Sequence, residues 1–393
     1  MNETWWVKHE QLDDAQRAVI DLPLGESHLI LGPPGSGKTN LLLLRGSQLV
    51  RSGKPNVLVL TFTRTLREFV ATGGQQYAFG VENIKTLNRW HFDFLREHGI
   101  TPESDRDFTM ERQKRLAQIQ QVVVERNLSH LYDAIILDEA QDYLPGEIDA
   151  FLRLGEVVFA AADLRQHIYA LEGAIPAALK ERFANVHSLK YHYRNGHKIC
   201  LIADALAKGW GDFEALTPTC NYDEQHYPSS ATIHSTPDLE AQVNQAITGL
   251  ELQMKAYPDE YLGVLCSTRA CLKRVWELIE SSRIGARAVV QSAEDGYVSF
   301  EADKPICVCT IHGSKGLEFR AVHLMEAESM KKSPLNRNIA YTAVTRAKTS
   351  LSVYHSNPIP GYLNSALAVI KGPVKPATLE DLFGSSTSEN ATL

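Results

Sequence analysis

The run Gly32-Pro33-Pro34-Gly35-Ser36-Gly37-Lys38-Thr39 follows directly on the apolar segment His28-Leu29-Ile30-Leu31, and Asn40 leads into Leu41-Leu42-Leu43-Leu44. It fits G-x-x-x-x-G-K-[ST], placed where a buried strand should turn into a helix. The glycines let backbone N–H groups curl around a polyphosphate, and the start of the helix adds partial positive charge. Residues 32–40 are therefore candidate nucleotide-binding residues. Lys38 is placed to reach the β- and γ-phosphates, and the Thr39 hydroxyl to ligate Mg²⁺. The loop alone does not say what a bound nucleotide is used for.

A second apolar run, Ala134-Ile135-Ile136-Leu137, ends in Asp138-Glu139-Ala140-Gln141-Asp142. Adjacent carboxylates at the end of a buried strand can hold Mg²⁺ and water together, with Asp138 on the metal side and Glu139 polarising the attacking water. The next apolar run ends at Asp163-Leu164-Arg165-Gln166-His167-Ile168-Tyr169, where Gln166 can sense a γ-phosphate. Upstream of the phosphate loop, Gln16 offers a primary amide to the N6 and N7 edge of adenine, which favours ATP over GTP. Arg194, in Tyr191-His192-Tyr193-Arg194-Asn195, and Arg346, in Ala343-Val344-Thr345-Arg346-Ala347-Lys348, lie far along the chain. Charge on a transferring γ-phosphoryl group needs cationic stabilisation, which an arginine finger supplies. If both arginines come from a second lobe, hydrolysis requires the lobes to close.

Elements that could position these groups alternate along the chain. Val57–Leu60, Ala134–Leu137, Val157–Ala160, Leu262–Leu265, Ile306–Cys309 and Val322–Met325 read as parallel strands buried on both faces. Helix patterns fall at 111–126, 238–255 and 270–281. That rhythm predicts an α/β fold with a mostly parallel sheet, and the strands fall into two sets that suggest two nucleotide-fold-like lobes. The first lobe is expected over 1–188, with a small helical insertion at about 92–133, and the second over 189–371. Residues 372–393, rich in Pro, Ser, Thr and acidic side chains, read as a disordered tail carrying a small apolar-acidic island, Leu379-Glu380-Asp381-Leu382-Phe383.

The bulk composition narrows the class. With 393 residues, two or three domains of about 150 residues are expected. Apolar residues make up 44% and charged residues 22%, an ordinary globular balance. A net charge of −7 argues against a surface wrapped in nucleic acid, yet it permits a local basic groove. The six cysteines show no C-x-x-C pair, so reduced, buried thiols are expected and a zinc site is not. The N-terminus lacks a signal-peptide pattern and no apolar stretch reaches about 18 residues, which predicts a cytoplasmic protein without a membrane partner.

Taken in order, these segments resemble the superfamily 1A helicases of the UvrD, Rep and PcrA group. Gln16 stands for the Q motif, Gly32 to Thr39 for motif I, and Leu60-Thr61-Phe62-Thr63-Arg64 for motif Ia. Thr86 to Trp90 is similar to motif Ib, Asp138 to Asp142 to motif II, and Asp163 to Tyr169 to motif III. Tyr193-Arg194 matches motif IV, Thr310-Ile311-His312-Gly313-Ser314-Lys315-Gly316-Leu317-Glu318-Phe319 motif V, and Tyr341 to Lys348 motif VI. The resemblance implies two RecA-like P-loop NTPase lobes with parallel sheets and ATP and Mg²⁺ in the cleft between them, with Tyr193 stacked on adenine, Glu318 at the ribose and Gly316 also at the ATP site. It also implies single-stranded nucleic acid across the top of both lobes. Contacts are then expected from Thr61, Phe62, Arg64, Thr86, Arg89 and Trp90 in the first lobe and from His312, Ser314 and Lys315 in the second.

The departures bear on function. Only residues 92 to about 133 separate motif Ib from motif II, and little room lies between Arg194 and Thr310 for the family's large 1B and 2B insertions. Where the family's motif III continues into base-contacting aromatics, this chain has Ala170-Leu171-Glu172-Gly173-Ala174. Loss of an aromatic platform removes about 1–3 kcal/mol of stacking per base. The leading expectation is a DNA-stimulated, UvrD-like ATPase acting on single-stranded DNA or DNA ends, in DNA repair or anti-phage defence, with RNA left open. The short architecture also resembles the helicase subunits of anti-phage systems such as Gabija, which implies a partner nuclease. The alternative is a nucleotide-gated regulatory subunit that activates such a nuclease without unwinding DNA.

Overall fold

The computed structural model describes residues 12–62, 67, 77–105, 107–164, 176–210, 214–292, 303–332 and 336–371. The predicted tail and the apolar-acidic island lie outside them. The described chain forms two six-stranded sheets. The first holds β1 (His28–Leu31), β2 (Val57–Thr61), β3 (Ile84–Thr86), β4 (Tyr132–Leu137), β5 (Gly155–Ala162) and β6 (Asn185–Ser188), in the order β3-β2-β4-β5-β1-β6. The second holds β7 (Ser230–Ser235), β8 (Leu262–Cys266), β9 (Ala288–Gln291), β10 (Ile306–Thr310), β11 (Phe319–Met325) and β12 (Ala347–His355), in the order β7-β12-β11-β8-β10-β9. Neighbouring strands within each sheet run parallel, as continuous apolar runs with helical crossovers require.

Alternation along the strands sorts side chains into three cores. Ile30, Val59, Ile136 and Phe159 face one side of the first sheet, while Leu29, Leu58, Ile135 and Val158 face the other. In the second sheet, Val264, Val308 and Ala321 fill a separate core. Leu265, Cys307 and Val322 instead join the cluster that contains Ile30 and Val59. One hydrophobic cluster therefore runs from sheet to sheet, and the helix His197–Ala207 adds Ile199, Ile202 and Leu206 to it. Each fully buried Val, Leu or Ile contributes about 1.5–3 kcal/mol. Such continuity fixes where the loops at the strand ends meet.

Between β3 and β4 the chain forms helices Leu87–Glu97 and Phe108–Glu125. Thr86 caps the first, its hydroxyl accepting from the Arg89 N–H at 3.2 Å, and Asp107 caps the second through the Met110 N–H at 2.9 Å. Trp90 and Phe94 anchor the first helix against Phe151. No described helix is long and apolar enough to cross a membrane.

Candidate nucleotide site between the two sheets

β1 is buried along its whole length and hands over to Gly32, whose N–H donates to Ala162 O on the neighbouring strand at 3.2 Å. Gly35 and Gly37 then take φ of +77° and +82°, a left-handed turn that glycine adopts without strain. The turn delivers Lys38 at the start of the helix Lys38–Arg51, which Leu41, Leu42, Leu43 and Leu49 bury against the sheet. The Lys38 ammonium donates to Gly32 O at 2.9 Å and Pro33 O at 2.8 Å. Burial holds its pKa below the ordinary lysine value, against the pull of Asp163 and Glu139.

At the end of β4, two strands away in the sheet, Thr39 Oγ1 donates to Asp138 Oδ2 at 2.8 Å. Asp138 and Glu139 are driven apart in acidity. Burial, and then the charge of Glu139, push Asp138 up to about 7. Burial would raise Glu139 as well, but Lys315, Arg346 and Lys38 outweigh it and hold that carboxyl below its ordinary value. Glu139 occupies the left-handed region at φ +53°, an uncommon conformation for a residue with a side chain. Gln141 stabilises this corner: its Nε2 donates to Glu139 Oε2, and its Oε1 accepts from the Asp163 N–H at 3.1 Å.

The opposite wall comes from the later chain. Arg194 Nη1 donates to Glu318 Oε2 at 2.9 Å, while its Nε and Nη2 are buried without a hydrogen-bond partner among the described residues. A Cβ on Gly35 would stand 2.4 Å from Arg194 Cβ, so glycine is what lets loop and arginine approach. Arg346 is 2% exposed, and its Nη1 donates to Leu317 O at 2.7 Å. Burial and Arg194 lower its pKa to about 10, which still leaves it charged at neutral pH.

Pro34, Gly35, Gly37, Lys38, Thr39, Asn40, Asp138, Glu139, Arg194, Gly316, Glu318 and Arg346 thus line one cleft, together with Asp163. Tyr193 borders it, its N–H donating to Gly35 O at 3.1 Å and its hydroxyl to the Asp13 carboxylate. Gln16 supports the loop from behind, with Nε2 donating to Ser36 O at 3.0 Å and Oε1 accepting from the Asp13 N–H at 3.1 Å. Ser36 is buried and turns its hydroxyl back to Pro33 O at 2.9 Å. Gln166 and Arg64 lie outside the described residues, as does the 170–174 segment. A Mg²⁺-polyphosphate suits this donor set. Thr39 and Asp138 offer hard oxygens to a cation, and the loop, Lys38 and the two unpartnered Arg194 nitrogens offer donors to an anion.

Several expected nucleic-acid contacts are corrected by their burial. Trp90 is 2% exposed and its Nε1 donates to Tyr132 Oη at 3.1 Å, so the indole presents no face to a base. Ser314 and Lys315 are both fully buried. Ser314 Oγ donates to Ile311 O at 2.8 Å, and Lys315 Nζ pairs with Asp142 Oδ2 at 2.5 Å, so that cation is already neutralised. Thr61 is 1% exposed, and the Thr86 hydroxyl is spent on its helix cap. Arg89 remains accessible but pairs with Asp93 at 2.9 Å. Phe62 is half-buried beneath the Arg112 guanidinium, 5.2 Å from its ring, and burial keeps half-buried His312 below its ordinary pKa.

Sequence reasoning assigned no separate role to Asp163, Gln141 or Asp142, although all three stand within quoted motifs. The signal was the polar run that follows each buried strand: side chains there must find partners, and here they find one another.

Two parallel sheets sharing a phosphate loop, a carboxylate pair and two facing arginines define a P-loop nucleotide-binding α/β protein. Residues 12–130 match the UvrD/REP helicase N-terminal domain, and residues 305–354 match the UvrD-like helicase C-terminal domain. Both matches are to UvrD-like helicase domains, which imply an ATP-hydrolysing activity of the DNA-helicase type. Among solved structures, the C-terminal domain of a possible DNA helicase from Lactobacillus plantarum WCFS1 is similar at 19% identity, over 44% of this chain and 93% of that one, with a TM-score of 0.32. The PRRSV helicase is similar at 17% identity, over 86% of this chain and 54% of that one, with a TM-score of 0.38. No curated protein matches the chain.

Proposed function

We propose that this chain hydrolyses Mg²⁺-ATP in the cleft between its two sheets and couples turnover to closure of the sheets on single-stranded DNA or a DNA end. The observation that carries the reading is the divided origin of the cleft. Lys38, Thr39, Asp138 and Glu139 come from the first sheet's loops, whereas Arg194, Glu318 and Arg346 come from the later chain. Thr39 and Asp138 would hold Mg²⁺, which supplies charge neutralisation at the phosphoryl oxygens. Lys38 binds and orients the phosphates; Glu139, ionised at neutral pH, accepts hydrogen bonds from a water and aims it. Arg194 and Arg346 place positive charge where negative charge develops in transfer, worth about 10³–10⁵ in rate for an arginine finger. Tyr193 offers its partly exposed ring to the base beside Gln16.

The test is steady-state ATP hydrolysis without polynucleotide, then with single-stranded DNA, duplex ends or RNA. Stimulation by single strands or ends is the expected result; a rate that no polynucleotide changes would end the motor reading. A second reading, a nucleotide-gated subunit that acts on a partner nuclease in anti-phage defence, draws support from the burial of Trp90, Ser314 and Lys315. It predicts nucleotide hydrolysis indifferent to polynucleotide.

A further inference from the structure

Outside the nucleotide cleft, three residues of the stretch His192 to Cys220 converge on one point. His192, Cys200 and Cys220 each bring a ligand atom within 4.8 Å of the others. They arrive on three separate supports. His192 precedes Tyr193 and Arg194, Cys200 sits in the first turns of the helix His197–Ala207, and Cys220 closes the short turn Thr217–Thr219. His192 and Cys220 form a parallel bridge, reinforced by the His192 N–H donating to Thr219 O at 3.2 Å and the Asn221 N–H donating to His192 O at 2.9 Å. His192 and Cys200 are both fully buried, and Cys220 is partly open.

The two thiols point at the same acceptor. Cys200 Sγ and Cys220 Sγ each donate to Asn195 O at 3.3 Å, and the His192 Nε2 lies 3.9 Å from Cys200 Sγ and 2.9 Å from Leu216 O. We propose that His192, Cys200 and Cys220 form a binding site for a thiophilic divalent cation of the Zn²⁺ class. Two sulfurs and an imidazole select such an ion over Mg²⁺ or Ca²⁺, which require oxygen donors. Binding releases two thiol protons, and the imidazole proton, which Nε2 donates to Leu216 O in this structure, moves to Nδ1 so that Nε2 can ligate. A dication, two thiolates and a neutral imidazole sum to zero, the charge a buried site tolerates best.

The site is independent of the ATPase reading, though it lies at the root of the segment that carries Tyr193 and Arg194. The experiment is titration of the reduced full chain with Zn²⁺ in the presence of excess Mg²⁺, against a chromophoric chelator, with Co²⁺ substitution read by its thiolate charge-transfer absorption. A single Zn²⁺ per chain and a cobalt–thiolate band are expected. Cys220→Ser should remove the band and weaken Zn²⁺ binding by at least about tenfold. An absent cobalt band in the unaltered chain, Zn²⁺ retained equally by Cys220→Ser, or a Cys200–Cys220 disulfide forming in place of metal uptake would each overturn the site. The cobalt measurement needs no variant, so a misfolded Cys220→Ser does not leave the question open.

Discussion

Lys315 Nζ lies 2.5 Å from Asp142 Oδ2, and neither side chain has any exposed surface. The lysine stands between β10 and β11 of the second sheet, the aspartate just beyond β4 of the first. The pair therefore joins the sheets with opposite charges, directly before Gly316, which lines the cleft. Lys315 is also the strongest of the cations that keep Glu139 ionised. One buried ammonium thus serves both the junction and the carboxylate that would aim water.

Lys315→Met should strand the Asp142 carboxylate in a site where burial already pushes its pKa up to about 6. Breaking a buried pair on one side costs about 3–5 kcal/mol, whereas replacing both partners by apolar groups is often close to neutral. Urea unfolding of Lys315→Met, Asp142→Leu and the double variant gives the coupling directly. Additive losses would mean that the pair does not join the sheets.

Glu139→Gln should keep nucleotide binding and abolish turnover, because the amide can fill the corner beside Gln141 without accepting a proton from water. Arg346→Ala should behave alike, with hydrolysis reduced by about 10³ or more and binding largely kept. Lys38→Ala should lose both, since its ammonium would bind phosphate in ground and transition states. Fluorescent-nucleotide titration beside single-turnover hydrolysis separates these outcomes. Equal loss of binding and hydrolysis in Arg346→Ala would argue against a finger.

The long apolar strands and the cleft were legible because their physics is local. Val57–Leu60 and Ala134–Leu137 are continuous apolar runs, and each appears as a strand buried on both faces. β6 and β7 escaped notice because they lie at sheet edges, where half-buried Asn185 and His187 and exposed Thr232 break the apolar run. β12 is central yet was missed: it begins Ala347-Lys348-Thr349-Ser350, and only tertiary partners reveal that such residues are buried. Lys348, for example, lies 3.6 Å from Glu260. The same limit explains Trp90 and Lys315. Their types suit nucleic acid, and only the fold shows each already committed inside. The His192–Cys200–Cys220 grouping was invisible for a related reason, since no spacing rule links three separate segments.

Trp90→Ala should cost about 3–5 kcal/mol of stability, the range for emptying a large aromatic from a core. The indole packs within 4.8 Å of the Phe151 ring centroid and 5.0 Å of Phe94. At a temperature where the variant is still folded, its affinity for single-stranded DNA should match that of the unaltered chain. Fluorescence anisotropy with a labelled oligonucleotide provides the check; a selective loss of affinity with stability intact would return Trp90 to the binding surface.

His323 predicts how the fold responds to acid. Its Nδ1 meets Tyr354 Oη at 2.9 Å and its Nε2 meets Gln253 Oε1 at 2.8 Å. Because an amide oxygen only accepts, Nε2 carries the proton and the ring is neutral, with Nδ1 accepting from the tyrosine. Burial, and then the proximity of His234, lower its pKa to about 3. The unfolded chain would titrate near the ordinary histidine value of 6.5, so below that pH the unfolded state binds more protons than the folded one. Stability is complete above this value and falls as the pH drops toward the folded pKa, by about 1.4 kcal/mol per pH unit. Between neutrality and about pH 5 the loss from this residue is on the order of 2 kcal/mol. His91, lowered by burial to about 4, acts in the same direction. His323→Gln should lower stability at neutral pH yet flatten its decline in acid, measured as the urea midpoint across that range. An unchanged slope would mean that the ring does not enter the fold neutral, and the hydrogen-bond assignment to Gln253 would have to be reversed.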